Sequence, residues 1–103
     1  MKDANGMCCF EGKVAVTSPY GLVVLEESKT LFEFEQQFFT RPTWSPKGNF
    51  LLCTVDNHIS VLSNGTMHKI SQSLGAEFYS VSPLENWLVF GVKGVITVLE
   101  MHT

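Results

Sequence analysis

Three histidines, three cysteines and one aspartate are the residues whose types could do chemistry here: His58, His68 and His102, Cys8, Cys9 and Cys53, and Asp56. Imidazole nitrogen and thiolate sulfur are the donors of tetrahedral metal centres, and an Asp beside a His is the minimal acid–base pair. The spacing argues against both uses. Cys8 and Cys9 are neighbours, so in a strand they point to opposite faces and cannot reach one ion. Asp56 and His58 are two apart in a turn-to-strand segment, where an Asp commonly caps the turn through its side-chain oxygen. Gly91-Val92-Lys93-Gly94 is two glycines around a turn rather than a phosphate cradle, and no nucleophile elbow, GxGxxG or Walker loop occurs. The reading is non-catalytic, with no cofactor, no metal and no catalytic residue. The alternative is a small metal-dependent or hydrolytic enzyme using Asp56 and His58.

The aromatic residues are the better candidates. Phe32, Phe34, Phe38, Phe39 and Trp44 crowd one segment, interleaved with Glu33 and Glu35. Desolvated aromatics dominate the energy of protein interfaces, so Phe38, Phe39, Trp44 and Trp87 are expected to carry partner contact or packing between structural units. Stacking on RNA needs a basic groove beside the aromatics, and only Arg41 is near, so direct sequence-specific nucleic-acid binding is not expected.

The elements that position these side chains are announced by an internal repeat. Ser45-Pro46-Lys47-Gly48-Asn49-Phe50-Leu51-Leu52 recurs 37 positions later as Ser82-Pro83-Leu84-Glu85-Asn86-Trp87-Leu88-Val89, and eight of eighteen positions are identical between 45–62 and 82–99. A weaker copy precedes them: Leu22-Val23-Val24-Leu25 lies 37 positions before Ile59-Ser60-Val61-Leu62, and Gly12 lies 36 before Gly48, which asks for one residue of slippage. Val14 and Val16, Phe50 and Leu52, and Trp87 and Val89 alternate with the period of a half-buried strand. Asn64-Gly65 between two such runs predicts a hairpin, which also accounts for the glycosylation-like Asn64-Gly65-Thr66. Phe32 and Phe34 fall on one face of a predicted outer strand and Glu33 and Glu35 on the other.

The expected fold is all-β: about three propeller-like antiparallel blades with a 37-residue repeat, in an incomplete ring, over approximately 7–37, 38–74 and 75–103 of one segment spanning 1–103. With four residues after Leu99, the last unit is expected to lack its fourth strand. Propellers close with about four to eight blades, so three leave open faces. Two copies in a six-blade ring or completion by another polypeptide would cover them, and strand-edge pairing is a further route to a partner. A two-layer sandwich is the competing architecture.

Composition sets the remaining bounds. The 103 residues are 45% hydrophobic and 17% charged with a net charge of −3, which fits one folded domain and offers no basic patch for nucleic acid or anionic lipid. No apolar run approaches the roughly 18 residues of a membrane span, no signal peptide is visible, and an odd cysteine count fits reduced thiols. A cytoplasmic location is expected.

The run Trp44-Ser45-Pro46-Lys47-Gly48-Asn49-Phe50-Leu51, with Asp56 before His58-Ile59-Ser60-Val61, resembles the inner-strand turn of WD-repeat β-propeller blades, although Leu62-Ser63 stands where the Trp-Asp pair would be. The stretch from Arg41 through Ser82-Pro83 to Val89 is similar to the propellers of eukaryotic translation initiation factor 2A and of subunit b of eukaryotic initiation factor 3. That resemblance implies a scaffold in the translation apparatus that contacts other factor subunits or the small ribosomal subunit.

Overall fold

In the computed structural model, which describes residues 3–101, eleven strands form three antiparallel sheets. The first holds β1 (Gly6–Phe10), β2 (Lys13–Ser18), β3 (Gly21–Glu26) and β4 (Lys29–Glu35). The second holds β5 (Phe39–Trp44), β6 (Leu51–Val55), β7 (His58–Ser63) and β8 (Thr66–Lys69). The third holds β9 (Phe78–Val81), β10 (Trp87–Val92) and β11 (Val95–Glu100), after a single 3-10 turn at Ser71–Ser73. Within every sheet each strand pairs with its neighbour in the chain, and none of the sheets closes into a barrel. This is the arrangement of incomplete propeller-like blades.

The turns explain why the strands reverse where they do. Asn64 and Gly65 both take positive φ, 50° and 78°, as a two-residue hairpin turn requires, and β7 pairs with β8 across them from Ser63–Thr66 outward. Asp56 and Asn57 do the same between β6 and β7, at 48° and 67°. In β5 the ladder to β6 breaks between Thr40 and Thr43. Pro42 has no N–H to donate there, and Arg41 takes φ 51°, so the two residues form a bulge.

Packing follows from face alternation. Ala15, Leu22 and Val24 of the first sheet meet Phe39, Leu51, Cys53, Val55 and Leu62 of the second, with Phe32, Phe34, Trp44 and Met67 packed around them. The opposite face of the second sheet, Phe50, Leu52, Ile59 and Val61, meets Leu88 and Phe90 of the third, with Tyr79, Val81 and Leu99 beside them. The middle sheet is therefore covered on both sides, and every residue of β6 is buried. Its sequence accordingly reads as a continuous run, Leu51-Leu52-Cys53-Thr54-Val55, whereas β4 of the first sheet alternates Phe inward and Glu outward.

Two consequences are measurable. Thr54 Oγ1 is buried with no hydrogen-bond partner; replacing it by the isosteric Val removes an unsatisfied hydroxyl, and Thr54→Val is expected to raise stability by about 1 kcal/mol in urea titration. Burial pushes the Cys53 thiol up to about 12. Cys9 is exposed and should react with a thiol reagent in the native protein at pH 8, whereas Cys53 should react only when denaturant unfolds the chain.

Candidate functional site

The sheets are locked together by side chains that cross from one to the next. Between the first and second, Trp44 Nε1 donates to the Cys8 carbonyl at 3.1 Å, Lys13 Nζ donates to the Gly48 carbonyl at 3.1 Å, and Asn5 Nδ2 donates to the Phe39 carbonyl at 2.9 Å. The Lys13 ammonium also sits 4.8 Å from the Trp44 ring centre. Between the second and third, the bulge at Arg41 aims its guanidinium at the Ala76 and Glu77 carbonyls, at 2.8 and 3.0 Å, while the Tyr79 hydroxyl donates back to the Arg41 carbonyl. Burial pushes the Tyr79 phenol up, which keeps it a donor.

The most specific of these contacts is made by Glu85. Its side chain is almost fully enclosed, and its carboxylate sits on the Ser-Pro turn of the preceding sheet. The Ser45 hydroxyl and the Lys47 N–H, at 3.0 Å, donate to Oε2, and Asn49 Nδ2 donates to Oε1 at 2.6 Å. Ser45 Oγ in turn accepts from the Phe50 N–H at 2.9 Å. Burial alone would raise the Glu85 carboxyl, but the donors from Ser45, Asn49 and Lys47 outweigh it and hold the group below the usual glutamate range.

The same turn recurs in the third sheet. Ser82 N–H donates to the Trp87 carbonyl at 2.9 Å and Trp87 N–H to Ser82 Oγ at 3.0 Å, as Ser45 and Phe50 do. With no carboxylate present, the Ser82 hydroxyl donates to Asn86 Oδ1 at 2.7 Å. The αL residue of the turn is Gly48 in the second sheet, at φ 76°, and Glu85 in the third, at 60°. Glu11 occupies it in the first, at 52°, so the repeat is 37 residues throughout and the expected slippage between Gly12 and Gly48 does not occur. Gly48 has a steric reason to be glycine, since a Cβ there would overlap the Phe10 ring.

The four aromatic candidates divide. Phe39 is fully buried, with its ring centre 6.4 Å from that of Phe34, and Trp44 is half-buried against the same core, so both pack sheet on sheet. Phe38 and Trp87 remain 50% and 42% exposed. Trp87 belongs to a wider apolar face with Phe78, Ile96 and Val98 on the uncovered side of the third sheet.

The polar candidates are dispersed. The Asp56 carboxylate accepts from the Phe38 N–H at 3.4 Å, and His58 Nδ1 meets the Asp56 carbonyl, not its carboxylate, at 3.2 Å. Among the described residues no three of His, Cys, Asp and Glu could share a metal ion, and His102 lies outside those residues. Sequence reasoning passed over Glu85, Arg41 and Lys13 as site residues. A signal for Glu85 existed, because an acidic side chain stands where the preceding repeat has glycine. No protein-family model matches the chain, and no curated protein matches it.

Because the Glu85 carboxyl is held low in the fold, its stabilisation is fully present above the glutamate pKa of an unfolded chain and is lost as pH falls through the lower folded value. Glu85→Gln should remove that part of the acid dependence in melts between pH 3 and 7, and Glu85→Ala should cost about 2–3 kcal/mol at pH 7 by stranding buried donors.

Proposed function

We propose that the chain is a non-catalytic β-propeller scaffold of the cytoplasm, working in a translation-initiation or other ribonucleoprotein assembly through protein partners rather than by reading nucleic acid. The observation that carries this reading is the uncovered apolar face of the third sheet. Phe78, Trp87, Ile96 and Val98 are each 42% exposed or more, and three of them repeat the buried Phe50, Ile59 and Val61 of the second sheet at a spacing of 37. A sheet built with both faces apolar is built to be covered, by a partner chain or a second copy, and burying such a face contributes about 25 cal/mol per Å². Phe38, projecting from the linker before β5, is the anchor left for a partner that does not complete the ring. The net charge of −3 favours contact with proteins over contact with phosphate.

The translation assignment rests on the Trp-Ser-Pro-Lys-Gly turn at Trp44–Gly48 and the Ser-Pro turn one repeat later. Its test is co-sedimentation of the purified chain with small ribosomal subunits and purified initiation factors. The expected result is saturable association that Phe38→Ala weakens about tenfold, the scale of an interface anchor, with the melting temperature unchanged. Absence of association with every factor and with the subunit would overturn the assignment.

A further inference from the structure

The 37-residue repeat states what each face of each sheet is built to meet. Leu51, Cys53 and Leu62 face the preceding sheet; Leu88, Phe90 and Leu99 stand one repeat later and also face the preceding sheet. Phe50, Ile59 and Val61 face the following sheet, and their counterparts Trp87, Ile96 and Val98 face nothing. At the other end the polarity is complementary. Val14 and Val16 stand one repeat before Leu51 and Cys53, and Leu25 one repeat before Leu62, so they form a face of the preceding-sheet type. Val16, Val23 and Leu25 there line a groove of about 530 Å³ with Thr30 and Glu33.

The polar groups match in the same sense. The turn Ser82–Asn86 repeats the turn that holds Glu85, and its Leu84 and Asn86 N–H groups have no acceptor among the described residues. Glu11 occupies the position of Glu85 on the first sheet, exposed and with the same left-handed backbone. One end of the chain thus carries a carboxylate without a turn, and the other a turn without a carboxylate.

We propose that two copies of this chain pair head to tail, the first sheet of each covering the third sheet of the other, with Glu11 of one copy seated on the Ser82–Asn86 turn of its partner. The contact continues the interface already present between the second and third sheets. Two such contacts close a ring of six blades, within the range of about four to eight that propellers adopt. The inference rests on the scaffold reading above and names its occupant.

The test is light scattering after size exclusion, on the purified chain over a hundredfold range of concentration. The expected result is a species of twice the 11.5 kDa chain mass. Val98→Asp on the tail face and Val16→Asp on the head face should each shift dissociation to at least tenfold higher concentration, and mixing the two variants should restore association, because one undamaged contact then remains. Glu11→Gln, on an exposed turn that leaves the core untouched, should weaken the dimer at pH 7. A monomer at all concentrations would overturn the pairing, as would a dimer indifferent to Val16→Asp and Glu11→Gln, which would be tail to tail, or an open-ended polymer. A monomer that still co-sediments with initiation factors overturns the pairing alone, whereas a dimer that does not co-sediment overturns only the translation assignment.

Discussion

None of the three sheets can keep water from its own apolar side chains, and the structure depends on that constraint. A single four-stranded meander buries nothing by itself; it offers two faces and needs a neighbour on each. The middle sheet has both neighbours, which is why Leu51, Leu52, Cys53 and Ile59 are fully enclosed while Ile96 and Val98, built to the same pattern, are more than half exposed. Exposure here is set by position in the array, not by residue type.

Apolar contact between sheets is nondirectional and would tolerate sliding. Register comes from the polar groups that cross each junction. One turn position serves both junctions differently. At Gly48 the missing Cβ lets the Phe10 ring approach and leaves the carbonyl to Lys13. At Glu85 a carboxylate gathers the donors of an entire turn. Arg41 adds a second fixed point, since its planar guanidinium meets two successive carbonyls and is held by a bulge that only a local break in the ladder permits.

The architecture was legible wherever it is local or periodic. The Ser45-Pro46 and Ser82-Pro83 repeat, the Asn64-Gly65 turn and the Phe32/Phe34 alternation led to sheet number, strand order and the three-stranded last sheet because hairpin geometry is decided by a few adjacent residues. What crosses between sheets was not legible. Phe38 and Phe39 are adjacent and chemically identical, and only the direction of the strand that begins at Phe39 decides that one is exposed and the other enclosed. Glu85 reads as an ordinary surface glutamate until the turn it caps, some 40 residues earlier, is brought beside it.

Because each strand pairs with the strand next to it in the chain, the loops closed in building a sheet are a few residues long, whereas docking one sheet on another joins positions about a repeat apart. Short loops close quickly and at small entropic cost, and longer ones later. The chain emerging from a ribosome therefore forms its first meander before the residues that will shelter Leu22 and Val24 have been synthesised. During that interval the nascent protein presents a finished but uncovered sheet, and its yield in a cell depends on how chaperones meet that one surface.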